Sequence, residues 1–400
     1  MYLNAAILGA VVLCAVLLFS PKLQRSRIWL ATTTPLASII GSGFLVLGPI
    51  LDAAYGKFAP GVMAALCLGA YLYGAAIRYN IAFIDAHVLP DTGLVRSLET
   101  LSSWALGFAY IISVAYYLNL FGAFGVSLTA VNDPVHAKLL TSAVFAVILA
   151  AGWARGFKML ERMEYVSVAT KLAIIAGLLV GLSVYFHTRA MEGRLVANAP
   201  DLSGWHAIAV AFGLIVTVQG FETSRYLGAA YDGGERIRSM KWAQWISSFI
   251  YIVYIVLLTY VFERGQLKLT ETAIIDMMTV VAPILPVLLV AAALAAQFSA
   301  AIADTSGSGG LISDVTGGQV SARMGYAMLT LVGLVLTWSA NLFEIITYAS
   351  RAFALYYTLQ AAIAAARTYS REGLNKRCVL FSGLAILGIF IALFGTPVEG

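Results

Sequence analysis

Ile39-Ile40-Gly41-Ser42-Gly43-Phe44 breaks an apolar run that extends from 29 to 54, and Gln219-Gly220-Phe221-Glu222 breaks a second run from 205 to 231. Both runs are long enough for a membrane helix, which takes about 20 apolar residues. Each nevertheless carries glycine and polar residues within it, and the first adds Gly48-Pro49 downstream. Glycine reaches dihedral angles closed to other residues and lets the backbone approach a ligand, so the two interruptions mark helices that unwind at membrane depth. Either cluster alone reads better as an allowance for close helix packing. The pair, and its spacing, points further.

Composition sets the frame for that spacing. The 400-residue chain is 60% hydrophobic and 11% charged, with a mean hydropathy of +0.87, which is too little charge for a water-facing surface. Apolar runs between polar or Gly/Pro breaks give twelve candidate spans: 2–20, 29–54, 60–84, 98–123, 137–153, 163–186, 205–231, 242–262, 273–302, 324–338, 341–366 and 378–395. The first is not a signal peptide by charge order, because nothing basic precedes it while Lys22, Arg25 and Arg27 follow it. Of the 25 basic residues, sixteen then fall on the inner side and six on the outer, and Lys171, Arg225 and Arg351 fall inside spans. The expectation is an integral protein of the plasma (inner) membrane with both termini outside and loops 154–162, 232–241 and 367–377 inside.

Four spans separate the two interrupted ones, so each opens a five-helix set, 29–186 and 205–369. An odd number of spans turns the second set upside down. The expected fold class is therefore an all-α membrane protein of about 12 transmembrane helices, built as a five-plus-five inverted repeat. Residues 1–28 add an N-terminal helix and inner loop, and 376–400 a C-terminal helix and tail. Paired broken helices in inverted sets point to a secondary transporter with its substrate near the membrane midplane.

At these residues the chain resembles the amino acid, polyamine and organocation (APC) superfamily permeases, which share the LeuT-type fold. Ile39 to Phe44 is similar to the glycine motif of their first helix. Gln219-Gly220-Phe221-Glu222 is similar to the Gly-Phe-Glu of their sixth, followed by a basic turn with Arg236 and Arg238. Lys171 stands where many proton-coupled members carry a lysine. The resemblance implies secondary active transport of a small amino acid or a related amine or zwitterion, coupled to H+, with Na+ symport and substrate exchange as alternatives. The chain also departs from the family: Ala229 and Ala230 stand where relatives often carry acids, no aromatic occurs in 213–220, and Arg225-Tyr226 has no counterpart.

The candidate substrate-binding residues are Ile40, Gly41, Ser42 and Gly43 from the first break, Gln219, Gly220, Phe221 and Glu222 from the second, and Tyr116 from the third helix of the first set. A half-helix N-terminus carries about +0.5 charge and unpaired N–H donors, which suits a carboxylate. A charge at membrane depth costs about 2.5–3.5 kcal/mol on insertion scales unless paired or wetted, so Lys171, Glu222, Arg225, Asp304, Glu344 and Arg351 all need partners. Glu222 and Arg225, three apart, either pair with each other or leave Glu222 to the substrate. Glu344 and Arg351, on one helix face, suit partners on other helices. For ion coupling the resemblance points to Ser299 beside the first break. Asp304 is either a coupling group or a cap of the glycine-rich turn that follows. Lys171 either snorkels to the interface or, because burial disfavours the charged ammonium, works as a proton switch.

The remaining features narrow the function class. Cys14, Cys67 and Cys378 lack any paired spacing. No metal or cofactor is expected, and the dispersed basic residues exclude a nucleic-acid stripe. The expected partners are a small-molecule substrate and the lipid bilayer. An enzyme would want a histidine or metal cluster at depth, whereas His87, His136, His187 and His206 fall in or beside loops. A channel would want a repeated filter segment, which is not visible. A non-transporting sensor or scaffold of the same fold stays open.

Overall fold

The structure is a computed structural model that describes residues 2–41, 43–86, 93–155, 158–228, 231–263, 270 and 272–397, without the side chains of 154–155, 158–164, 306 and 314. Among the described residues there is helix and no strand. The order is α1 (Tyr2–Leu18), α2 (Pro21–Gln24), α3 (Arg27–Ile39), α4 (Gly43–Tyr55), α5 (Ala59–Asp85), α6 (Gly93–Val126), α7 (Pro134–Arg155) and α8 (Lys158–Met191). It continues with α9 (Gly204–Gly213), α10 (Gly233–Thr259), α11 (Ala273–Val281), α12 (Leu285–Val315), α13 (Ala322–Ser339), α14 (Leu342–Glu372) and α15 (Lys376–Phe394).

Helix starts follow the local chemistry. Asp232 with Glu235 and Asn341 with Glu344 form capping boxes at α10 and α14, and Ser26, Ser321 and Asn375 cap α3, α13 and α15. Seven helical segments among the described residues are long and apolar enough to cross a membrane. Large apolar side chains such as Leu13, Phe249, Leu331 and Leu393 are more than half exposed on the outside, the arrangement of a surface solvated by lipid tails.

Helix α6 lies at the centre, packed on α12, α14 and α7. Close approach depends on small residues. A Cβ at Gly307 of α12 would come within 3.1 Å of the Tyr110 ring on α6. On α8, Gly177 and Gly181 receive Val11 and Ile7 of α1.

Three expectations are corrected. The run 273–302 is two helices, because the chain leaves helical geometry between Val281 and Leu285, and α12 then runs on through the glycines to Val315. Asp304 is therefore inside a helix, not at a helix end, and it cannot cap the turn that was expected to follow. Glu344 does not reach to another helix, since its carboxylate accepts from the Asn341 N–H at the start of its own. Arg351 donates to the carbonyl of Gly395 beyond the end of α15.

Candidate functional site

The first break begins where α3 stops at Ile39. The last carbonyls of a helix have no partner within it, and here side chains from two other helices serve them. Lys171 Nζ on α8 donates to Ala37 O at 2.6 Å, and Tyr251 on α10 places its hydroxyl 2.9 Å from Ile39 O. Helix α4 restarts at Gly43, so the N–H groups of its first turn face the gap. A Cβ at Gly41 would lie 2.8 Å from Ser38 O, and one at Gly43 would lie 2.9 Å from the Thr217 Cα. Ser42 lies outside the described residues. Ile40 is buried at the end of α3, its N–H bonded to Leu36 O.

The second break is longer. Helix α9 ends at Gly213, and the chain continues as two 3-10 turns, Ile215–Val218 and Phe221–Tyr226. Ser350 of α14 stabilises the transition by donating to Gly213 O at 2.7 Å and accepting the Val216 N–H. Between the turns Gly220 takes φ 115°, a left-handed value that favours glycine, and a Cβ there would also meet Ile39 N at 2.6 Å. Each break therefore uses a glycine to let the other approach. Tyr251 joins them, its hydroxyl lying 2.8 Å from Thr217 O as well as against Ile39 O.

Glu222 stands at the start of the second 3-10 turn and is fully buried. Its Oε2 accepts from the Gly220 N–H and the Tyr357 hydroxyl, each at 2.9 Å. Its Oε1 meets no donor among the described residues, and neither does Oε1 of Gln219. The Gln219 amide N–H donates to the Tyr117 hydroxyl at 2.7 Å, which orients that side chain. Phe221 stacks on Tyr357 at 5.1 Å, and Phe353 stacks on the same ring at 6.1 Å. From α12, Asp304 accepts from the Ser113 hydroxyl of α6 at 2.5 Å. Two oxygen acceptors beside aromatic faces suit an ammonium group, and the N-terminus of α4 suits an anion.

Of the residues assigned to coupling, Lys171 and Ser299 lie on helices that meet at the first break, whereas Asp304 stands against Ser113 of α6. Ser167, one turn before Lys171, donates to Ala295 O at 2.8 Å, which brings this part of α8 against α12 one turn before Ser299. Ser299 is buried and bonds Ala296 O in its own helix, while the neighbouring Ala300 packs at Gly41. Lys171 is buried to 1% exposure, so it does not snorkel. Tyr116 is buried with its ring 5.4 Å from that of Tyr117, and Tyr117 is the residue that touches Gln219.

Sequence reading missed several residues that build this region: Tyr251, Tyr357 and Ser113. They carry no spacing signal, since tyrosine and serine are common in apolar helices. The partner of Arg225 also differs from the pairing that the sequence suggests. Its guanidinium bonds Glu99 of α6 at 2.7 Å, not Glu222.

A family model described as "APC superfamily transporter" matches residues 21–395. An uncharacterized protein of Aquifex aeolicus (strain VF5) is 43% identical over 386 residues, covering 95% of this chain and 94% of its own length. With two interlocked chain breaks among apolar helices already in view, the match over nearly the whole chain means that this protein belongs to the APC superfamily of membrane transporters.

Proposed function

We propose that the chain is a secondary active transporter for a small amino acid or a related amine or zwitterion, driven by protons. It works by alternating access between two inverted five-helix sets of LeuT type, 29–186 and 205–369, within twelve spans. Both sets open on a broken helix, and the two breaks meet through Gly43 against Thr217 and Gly220 against Ile39, which supports a shared site at their junction. The observation that carries the substrate class is Glu222, a fully buried carboxylate whose Oε1 meets no donor among the described residues. A substrate ammonium bonded there and at Gln219 Oε1 would leave its carboxylate to the first turn of α4.

Proton coupling rests on Lys171. Its charged form is costly at this burial unless it is held by acceptors, and Ala37 O supplies one. The protonated lysine then ties α3 to α8. Proton loss toward the inside weakens that tie, frees the end of α3 and lets the substrate leave. The test is a thermal-shift screen of amino acids, amines and organic anions on the purified protein, followed by liposome uptake of the hits. Ligand binding stabilises by mass action, by about 2.7 kcal/mol at a hundred times Kd, so a zwitterion or amine should raise Tm. A screen in which only organic anions raise Tm overturns the substrate class.

A further inference from the structure

Arg225 and Glu99 belong to no part of the scheme above, yet they stand in a polar cluster that joins α5, α6, α14 and the second broken segment. Glu99 Oε2 accepts from Arg225 Nη2 at 2.7 Å, and its Oε1 lies 3.1 Å from Arg367 Nη1. Arg225 lies next to the end of the second broken segment, Glu99 in the second turn of α6, and Arg367 near the end of α14. Gln360 of α14 adds its amide oxygen to Arg225 and donates to Ser102 of α6 at 2.7 Å. Asn80 of α5 donates to Gln360 at 3.0 Å and accepts from Arg367 at 3.1 Å. The Arg367 guanidinium also lies over the Phe83 ring, 4.7 Å from its centroid. The side chains of Arg225 and Arg367 are 11% and 2% exposed.

Other charged pairs lie at the same end of the molecule. Arg27–Glu235 joins α3 to α10, and Arg236–Asp85 joins α10 to α5 and reaches the broken segment only through its backbone, Arg236 donating to Arg225 O at 2.8 Å. Glu99 gathers three elements and holds the broken segment that carries Glu222 by a charged side chain. A buried ion pair is a poor way to hold helices together permanently, because the desolvation cost offsets most of the attraction. What charge allows is reversal: when the contact opens, water solvates each partner, so closed and open states lie closer in energy than across an apolar seam.

Resting on the reading of the chain as an alternating-access transporter, we propose that Glu99 is the latch of the inner end, holding Arg225 and Arg367 together when that end is closed and releasing Arg225 when it opens. The 3-10 turn Phe221–Tyr226 links it to the site, since Glu222 and Arg225 lie on one short segment. A ligand drawn to Glu222 Oε1 pulls on the same segment that Glu99 restrains. Arg225 is thus a positioning residue that connects site to latch.

The test reads opening directly and needs no substrate. Leu106, on α6 above Glu99, is fully buried. In the full-length protein with Cys14, Cys67 and Cys378 replaced by alanine, Leu106→Cys is exposed to a membrane-impermeant maleimide from the face that carries Arg238. Labelling should be slow with Glu99 intact and at least tenfold faster in Glu99→Gln and in Arg225→Gln. The double variant should be no faster than the faster single one, because both changes open one contact. Glu99→Asp keeps the charge but shortens its reach. It should give a smaller increase of threefold or more, and it decides the matter if a glutamine variant fails to insert. Labelling that stays within twofold of the parent in every inserted variant overturns the latch. Unchanged labelling alongside intact uptake overturns the latch alone, whereas faster labelling with no uptake of any ligand overturns the transport reading and leaves the latch standing.

Discussion

Lys171 Nζ lies 2.6 Å from the carbonyl oxygen of Ala37, so an amine on α8 completes the unfinished end of α3. Lys171 is buried to 1% exposure, where a charged amine depends on its acceptors. Replacing it by alanine removes both the proton and the tie. Lys171→Ala should therefore insert normally, bind ligand within about tenfold of the parent, and lose the acceleration of uptake by an imposed pH gradient. Uptake at matched and unmatched pH, compared between parent and variant, checks this.

Gly43 faces the Thr217 backbone at a distance where a Cβ would lie 2.9 Å from its Cα. Backbone cannot rotate away as a side chain can, so Gly43→Leu must push the two breaks apart. The variant should remain in the membrane and lose binding by at least a hundredfold, read as the vanished ligand-induced shift in Tm. Unchanged affinity would remove the junction of the breaks as the site.

Glu222→Gln keeps the shape of the side chain and its bonds to Gly220 and Tyr357 within reach, but it removes the negative charge. A hydrogen bond to a charged group contributes about 1.5–3 kcal/mol, so an ammonium-bearing ligand should bind roughly ten- to a hundredfold more weakly. Titration calorimetry with the strongest hit of the thermal screen measures it. A glutamine variant of equal affinity would exclude Glu222 from amine recognition.

The expected orientation places 232–241 inside and both ends outside. A cysteine at Arg238 should react with an impermeant reagent in inverted vesicles and not in intact cells, and a cysteine at Lys138 should do the reverse. Labelling of position 238 from outside intact cells would invert the whole assignment.

The all-helical membrane class is legible in the sequence because the bilayer imposes a length and a polarity on every crossing segment. The two breaks are legible because a membrane-depth carboxylate is costly and glycine weakens a helix, so an apolar run that carries them marks a site or an unwound turn. Partners are not legible. Glu222 and Arg225, three apart, look like a pair, yet the tight 3-10 turn sends one to Tyr357 and the other to Glu99, far away in the chain. Asp304 looks like a helix end because glycines follow it. Inside a membrane bundle, however, those glycines let α6 pack close, as Gly307 does for Tyr110, and the helix continues. Tyr251 leaves no trace at all, since its role depends on two carbonyls that only folding brings together.

Proton-driven uptake through the paired breaks can be put to a single experiment. Purified protein in liposomes is given the best ligand of the thermal screen, with an inward pH gradient or none, each with and without sodium. If Lys171 is the proton switch, accumulation follows the pH gradient, does not require sodium, and loses its pH response in Lys171→Ala. Uptake that depends on sodium, ignores the pH gradient and persists in Lys171→Ala would contradict it.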